Sequence, residues 1–552
     1  MLKRYMILFY FLCLGFWADK NYAQIPKWAE DQLTLRSIIQ ESIRETQKWQ
    51  HEDGSIYPSY LNLWKWDDET EIFYFWLTYY YLTGDESVYQ SVKGIAFTYI
   101  RRAEENDLFE HGYYRDKFFD TEHTLEGLII LANLAWARPD DREVVNALYD
   151  VVEHAANLVP DYHFWFNEET SLMRSVRPGT RAIDKNNVYA VDWVFNLQFV
   201  KMALAAYHAN NDKRLLEWSK KYLYGWIEIM EKNERENGYY VLPASVDPYT
   251  KQIGPYSGVW WHSEFEPGWG WQEAGNNAFR DMRGAFIDYY RMTGDQQPLK
   301  ALKKHIKTLF DNGDSYHPAH TFDGTRWIPD DDKITVWSAV QVSLFDGESD
   351  ADFDDFIGRW YKSLQYPDSE FHLWTYRREG GEDKINLING RSIYDAQKHL
   401  DEIKALSVLP EEPDDFPIIG GRWGLTLVPF GGISAHRGEM PWKEILYYKA
   451  DKSMGLDDGL AALVESVNDS IKTFYVANTT AQTRTLWAQS GYIREPIARV
   501  TVDGLPNLNI ENNLVKLTVP PGKTIRVTVS RTAEIDTTPP AIVQGLKIIA
   551  DE

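Results

Sequence analysis

The 552-residue chain has a single cysteine, Cys13. It falls in a segment expected to be removed, so the mature protein would have no disulfide framework, no thiolate metal centre and no cysteine nucleophile. Long apolar runs are also scarce. Residues 6–17 form one, with Lys3 and Arg4 before it and Asn21-Tyr22-Ala23 after it. This is the layout of a secretory signal peptide over residues 1–23. The run is too short to cross a bilayer comfortably, so no membrane span is expected. Bulky Leu12 ahead of Cys13 argues against lipid attachment. The expected location is secreted or periplasmic. Positive charge is the third shortage, with 58 Lys and Arg against 82 Asp and Glu. The formal charge is −24, and removal of the first 23 residues, which carry net +2, takes it to −26. Such a field repels polyanions at long range and argues against a nucleic-acid partner. An anionic substrate would need a local basic patch. No HExxH, Walker loop, GxGxxG before a helix, GxSxG elbow or EF-hand spacing occurs, which weakens the phosphate-cofactor and serine-hydrolase readings.

Aromatic residues, by contrast, are abundant. They make up 15% of the chain, including 22 Trp and 34 Tyr. Each Trp or Tyr brings a polar atom that a core must satisfy, so a core alone does not call for so many. Flat rings suit the C–H faces of sugars. Residues 260–283, WWHSEFEPGWGWQEAGNNAFRDMR, concentrate four Trp, one His, three Glu, two Asn and two Arg.

From residue 27 to about 310 the apolar residues recur at three- and four-residue spacing, which predicts helices. Residues 66–85 and 275–295 end alike, in Thr83-Gly84-Asp85 and Thr293-Gly294-Asp295, with Tyr79-Tyr80 matching Tyr289-Tyr290. Weaker copies end at Arg138-Pro139-Asp140 and Asn210-Asn211-Asp212. The glycines fit left-handed helix caps. Paired helices repeating in this way predict an α/α array, either an open solenoid or a closed ring. Polar and aromatic helix starts favour the ring: Trp66-Asp67-Asp68-Glu69, Thr121-Glu122-His123, Asn186-Asn187-Val188-Tyr189 and Gly275-Asn276-Asn277. After PEEPDDFP (410–417) the pattern alternates, with turn signals at Asp503-Gly504 and Pro521-Gly522, which predicts strands. The fold expected is mainly α, an (α/α)6-7 toroid of helical hairpins over 24–409. A small antiparallel β-sandwich-like module follows over 410–531, and 532–552 form a linker-like tail.

Four constellations carry candidate chemistry. His262 stands between Trp261 and Glu264, ahead of a loop with Trp269, and its near-neutral reference pKa suits proton transfer; a structural histidine bonded to a carbonyl is the competing reading. Arg174, Arg177, Arg181 and Lys185 share one loop with Asp184 as the sole offset. They read as an anion-gripping loop or as a solvated turn, with Asn187 and Tyr189 following. Arg115, Glu122 and His123 lie at another helix start, as a capped terminus or as a catalytic or substrate-positioning group. LWKWDDETE (63–71) holds four carboxylates that the helix dipole favours by itself. The same cluster could supply the paired acids of glycoside hydrolysis or bind calcium.

A signal peptide, a Trp- and Tyr-rich helical array with these helix starts, and a β module behind it together resemble the (α/α)-toroid carbohydrate-active enzymes of secreted bacterial polysaccharide degradation. These include lyases of glucuronan, alginate, chondroitin or ulvan, unsaturated glucuronyl hydrolases, and the ulvan oligosaccharide dehydratase. The resemblance spans roughly residues 27–530 in architecture. It implies β-elimination across C4–C5 of a uronic acid, with no cofactor beyond a structural calcium. The substrate would be an anionic polysaccharide or its oligosaccharides. One side chain neutralises the carboxylate, a base removes the C5 proton, and an acid protonates the oxygen leaving C4. Asn187 or Arg181 would neutralise the carboxylate, and Tyr189, His262 and His123 are the proton-transfer candidates, with base and acid unassigned. Arg177, Arg280, Trp66, Trp193, Trp260 and Trp269 would bind substrate. The alternative is a toroid glycoside hydrolase using two carboxylates among Asp67, Asp68, Glu122, Glu264 and Glu273. A third reading is a glycan-binding protein without turnover.

Overall fold

The computed structural model describes residues 25–57, 63–116, 119–160, 162–262, 283–312, 320–322, 326–329, 340, 342–343, 353–358, 369–418, 445–467, 471–490, 497–506, 509–511 and 513–530. The predicted signal peptide and tail lie outside these residues.

Two kinds of helix alternate along the chain. Helix α1 (Lys27–Gln47) comes first. Then α2 (Leu63–Glu71) and α3 (Trp76–Thr83) follow in line, before α4 (Glu86–Glu105). Next are α5 (Thr121–Ala137), α6 (Arg142–Ala155), α7 (Gln198–Asn210) and α8 (Lys213–Asn237). Helix α9 covers 283–293, followed by α10 (Gln296–Asp311), α11 (Ser369–Glu379) and α12 (Glu382–Ala405).

In α5, fifteen of seventeen residues are buried; a helix apolar nearly all round must be covered on every side. In α6, by contrast, Val144, Val145, Leu148, Val151, Val152, His154 and Ala155 are buried at helical spacing, while Arg142, Glu143 and Asn146 are exposed. Inner α5 touches inner α2 and α7 as well as outer α4 and α6. The molecule therefore has an inner layer (α2, α3, α5, α7) and an outer one (α4, α6, α8). The approach is close: a Cβ on Gly127 of α5 would sit 2.4 Å from the ring of Tyr99 on α4. Helix α12 lies along α1, and Asn389 Nδ2 donates to the Trp28 carbonyl at 3.2 Å, so the two ends of the helical array meet.

The connections are of two lengths, and this positions the site. An inner helix passes to its outer partner through a tight turn. Gly84 (φ 66°) and Asn211 (φ 59°) take left-handed backbone there, as the Gly and Asn of the repeats predict. The next residue then caps the outer helix. Asp85, Asp141, Asp212 and Asp295 each accept a backbone N–H of the first turn, satisfying a donor that a helix start leaves open. Outer helices return to inner ones through long connections, among them 106–120 and 156–197, and the chain beyond α8 is non-helical over the described residues 238–262. These carry short hairpins, β1 (Phe109–Glu110) with β2 (Tyr113–Tyr114), and β3 (Phe166–Asn167) with β4 (Leu172–Met173); β5 (Asp192–Trp193) pairs with β6 (Ser245–Val246). All the long loops thus share one end of the array, and β7 (His320–Phe322) with β8 (Trp327–Pro329) makes one more hairpin.

The C-terminal strands form two antiparallel sheets. One runs β10 (Leu460–Val467), β11 (Ile471–Asn478), β17 (Thr524–Ser530), β13 (Arg499–Val502), β14 (Leu505–Pro506). The other runs β15 (Ile510–Glu511), β16 (Leu514–Val519), β12 (Arg484–Ser490), β9 (Ile445–Tyr448). Val515, Leu517 and Val519 alternate inward from β16 and meet Phe474, Val476, Val527 and Val529 of the first sheet, as the two-residue period of a half-buried strand requires. This sandwich rests on the first hairpin. Leu456 N donates to the Leu82 carbonyl at 2.8 Å, and Ala462 N to Gln32 Oε1 at 3.3 Å. Gly455 (φ 100°) allows the contact, since a Cβ there would lie 2.3 Å from Thr83.

Candidate functional site

Asp120 precedes α5 in extended conformation (φ −76°, ψ 167°). Its Oδ1 accepts the backbone N–H of His123 at 3.1 Å and lies 2.9 Å from Nδ1 of the same residue. One buried carboxylate therefore both caps the helix and fixes the imidazole, whose side chain keeps 24% exposure. Burial pulls the His123 pKa down, but the Asp120 bond and the charges of Asp120, Glu122 and Asp67 outweigh it and lift the value to about 10. His123 is thus a cation at neutral pH.

Helix α2 supplies a buried carboxyl shifted in the same direction. Asp67 is 1% exposed, and its Oδ1 accepts Asp68 N at 3.0 Å. Burial raises its pKa well above the carboxylate range, reinforced by Glu126 and Asp68 and opposed by His123. Asp67 therefore gives up its proton less readily than an ordinary aspartate. Glu122 and Glu126 are one turn apart on α5 and both buried. The Tyr74 hydroxyl donates to the Glu126 backbone carbonyl, tying the chain just after α2 to α5. Burial, then Glu71, Glu126 and Asp67, push the Tyr74 phenol far up. Carboxyl groups from α2 and from the start of α5 thus act together on one histidine.

Two sets of three residues bring one ligand atom each within 4.8 Å: Asp120, Glu122 and His123, and Asp68, Glu71 and Asp414. The second set offers oxygens alone, the donor type calcium takes; proximity by itself does not define a metal site.

A second network holds these helix starts in register. Thr121 Oγ1 donates to Asn196 Oδ1 at 2.5 Å and receives the Trp193 indole N–H at 2.7 Å. Asn196 Nδ2 donates to Asp192 Oδ1 at 2.8 Å, as does the Tyr222 hydroxyl at 2.9 Å, while Met173 N reaches Oδ2 at 2.8 Å. Burial lifts Asp192 to about 7 despite these bonds. Asp192 and Asn196 were not singled out from the sequence; a buried acid followed four residues later by an amide is a pattern with no period to reveal it.

The other sequence candidates fall in adjoining loops of the same end. Thr121 N donates to the Val176 carbonyl at 2.9 Å, and Arg181 N to that of Arg115 at 2.9 Å, so the basic loop lies beside the His123 helix start. Arg181 is exposed, and its fork grips Glu110, Nε to Oε2 at 2.8 Å and Nη2 to Oε1 at 2.9 Å. The Arg177 guanidinium lies 3.8 Å from the centre of the Tyr189 ring. Asn187 opens a single 3-10 turn (Asn187–Tyr189), and Trp66 lies in α2; both side chains fall outside the described residues. Trp193 is 1% exposed, its ring against Phe195, so in this structure it has no open face. Trp260 is 5% exposed in a small cluster with Val241, Ala244 and Leu309, against Tyr239 and Trp327. His262 is half-buried beside Trp261, and its buried Nδ1 has no partner among the described residues. Glu264, Trp269, Glu273 and Arg280 lie outside the described residues. The structure thus unites Asp67, Asp68, Glu122 and His123, pairs Arg177 with Tyr189 one loop away, and sets His262 on the next long loop.

A model of a domain of unknown function, DUF8034, matches residues 16–188. No curated protein matches the chain. Solved structures similar to it include an unsaturated glucuronyl hydrolase specific for heparin, at 13% identity and TM-score 0.38, covering 70% of this chain and 100% of that one. A GH76A alpha-1,6-mannanase from Salegentibacter sp. HEL1_6 is similar at 14% identity and TM-score 0.37, covering 68% and 99%. A GH127 beta-L-arabinofuranosidase from Geobacillus stearothermophilus T6 is similar at 12% identity and TM-score 0.34, covering 84% and 71%.

Proposed function

We propose that the chain is a secreted glycan-cleaving enzyme built on a closed (α/α) ring, and that it hydrolyses glycosidic bonds with Asp67 as proton donor. The observation that carries this reading is the burial of Asp67 among Asp68, Glu126 and His123, which raises its pKa, at the loop-bearing end of the helical array. A glycoside hydrolase needs two acids of unequal pKa, one to protonate the leaving oxygen and one to act on water or on the anomeric carbon. Asp67 delivers its proton to the glycosidic oxygen as the C1–O bond breaks. A second carboxylate, from Asp68 or Glu122, takes the opposite role, and water supplies the hydroxyl that ends on C1. His123, held cationic, stabilises negative charge that develops beside Asp67 once its proton has gone.

The charge states weigh against elimination at this cluster. Removal of a C5 proton needs a base that is unprotonated near neutral pH. His123 is lifted to about 10, and Tyr74, Tyr99, Tyr113 and Tyr114 are all pushed up by burial.

A uronic-acid lyase or dehydratase is the second reading. It rests on Arg177 stacked on Tyr189, in the loop that also carries Arg181 and adjoins the His123 helix. A panel of neutral and acidic polysaccharides and their oligomers separates the two. Hydrolysis releases reducing ends and no ultraviolet absorbance. Elimination produces the absorbance of a C4=C5 double bond conjugated to the carboxylate. Absorbance without dependence on Asp67 would overturn the hydrolytic reading.

A further inference from the structure

Most arginines in this acidic chain are answered. Arg102 pairs with Glu69, Arg138 with Glu86 and Asp140, Arg181 with Glu110 and Arg214 with Asp212. Arg174 differs. Among the described residues its side chain makes no hydrogen bond and no ion pair; its Nε is buried without a partner, although the residue is only half-buried. Its one side-chain neighbour of note is Tyr249, whose ring centre lies 5.8 Å from the guanidinium carbon and which is 54% exposed. A guanidinium whose Nε is buried without a partner leaves a donor that an anion would complete, in a chain of net charge −24.

The pair is firmly held. Arg174 N donates to the Trp165 carbonyl at 2.7 Å, directly after strand β4. Tyr249 sits in a turn where Asp247 Oδ1 accepts Tyr249 N at 2.8 Å and Thr250 N at 2.7 Å. That turn is clamped from the β3–β4 hairpin, with Asn167 Nδ2 and Thr170 Oγ1 reaching the Pro248 carbonyl at 2.8 and 2.5 Å. Anchored backbone on both sides lets an exposed ring and a charged fork keep a fixed relation. Two residues on, the Val176 carbonyl bonds Thr121 at the start of α5. Val176, which bonds that helix start, is thus at most about 7 Å of chain from Arg174, a separation that an oligosaccharide spans.

We propose that Arg174 and Tyr249 form a subsite for an acidic sugar residue of the substrate, the fork binding a ring-borne carboxylate or sulfate and the phenol ring taking the sugar's C–H face. This deepens the proposed function and rests on it for the word substrate, but not for the binding itself. An Arg fork matches either oxyanion bidentately, and an aromatic face beside it adds contact without charge. The subsite makes the acidic sugar a specificity element and leaves bond cleavage to Asp67.

The test is calorimetric binding to full-length protein carrying Asp67→Asn, which prevents turnover. Three probes are used: a glucuronate-containing oligosaccharide, a sulfated neutral oligosaccharide and its unsulfated parent. One or both acidic probes should bind at least about tenfold more tightly than the neutral one, with the advantage shrinking as salt rises. Adding Arg174→Gln should remove that advantage and leave neutral binding unchanged. Arg174→Lys should restore part of it, since charge without the fork is retained. Tyr249→Ala should weaken all probes. Equal binding of acidic and neutral probes, or an acidic preference that survives Arg174→Gln in a protein that melts like its parent, overturns the subsite. Arg174-dependent binding with no cleavage of any glycan by the wild type would leave the subsite standing and overturn the proposed function. Cleavage with a KM unmoved by Arg174→Gln does the reverse.

Discussion

The Tyr149 hydroxyl donates a 2.7 Å hydrogen bond to Oδ2 of Asp212, the N-cap of the next outer helix. The same relation recurs along the array: Tyr89 to Asp141 at 2.9 Å, and Tyr224 to Asp295 at 2.8 Å. Each outer helix thus clasps the cap of its successor, so the aspartate that ends a tight turn also fixes the spacing between repeats.

Tyr149→Phe should cost about 1 kcal/mol, the net worth of one hydrogen bond. Asp212→Ala should cost more, because it removes a helix cap worth a further ~1 kcal/mol as well. Arg214, with Tyr149 and backbone bonds, holds Asp212 down at about 2 against the opposing effect of burial. A depressed carboxyl stabilises above its unfolded value of about 3.9 and loses that contribution as pH falls toward 2. The gap between the melting temperatures of wild type and Asp212→Ala should narrow as pH falls from about 4 toward 2; a constant gap would show that the charge state of Asp212 plays no part.

Asp67→Asn should reduce kcat by about a thousandfold while leaving the melting temperature unchanged or higher. The native side chain is buried where its charged form is disfavoured, so an amide of the same shape replaces it without a new buried charge. Glycan cleavage measured by reducing ends, beside circular dichroism melts, checks both halves. In the wild type, activity should fall as pH rises through the elevated Asp67 pKa, because the donor is then lost.

His123 should remain protonated through neutral pH and titrate at about 10, followed by its ring proton resonances. Its folded value is raised, so its stabilising contribution is complete below about pH 6.5 and is lost as pH rises toward 10. Asp120→Asn should lower the titration midpoint, since the carboxylate bonded to Nδ1 is what offsets burial. A midpoint unmoved by that change would remove Asp120 as the group that orients His123.

Glu69 on α2 is buried, accepts Ile56 N and Tyr57 N at 2.6 and 2.9 Å, and pairs with Arg102 of α4 at 2.8 Å. Arg102→Ala should therefore destabilise by about 3–5 kcal/mol, because it leaves one carboxylate buried without its counter-charge. Denaturant unfolding measures it; a loss below about 1 kcal/mol would mean water reaches Glu69.

The repeat turns were legible because they are local. Gly84 and Asn211 answer a backbone need for positive φ, and Asp85, Asp212 and Asp295 answer unpaired N–H groups one turn ahead. The strand alternation of Leu514–Val519 and Thr524–Ser530 is local in the same sense. His123, Glu122 and Asp67 could be picked as chemically able residues at helix starts. Their pKa shifts could not, since Asp67 is shifted by burial and by the charges of Glu126 and His123 on α5, more than fifty residues away. Trp193 and Trp260 show the converse. A tryptophan reads identically whether its ring is open to sugar or sealed against Phe195 or Val241.

Sequence by itself determined which segments coil, where they stop, and that acids, amides and rings gather at the long connections, because periodicity and capping act over a few residues. Tertiary structure alone decided that the pKa of Asp67 and that of His123 both rise, that Arg181 meets Glu110, and that Arg174 meets no carboxylate among the described residues. Those outcomes depend on desolvation and on charges brought together by helix packing, and neither exists until the chain has folded.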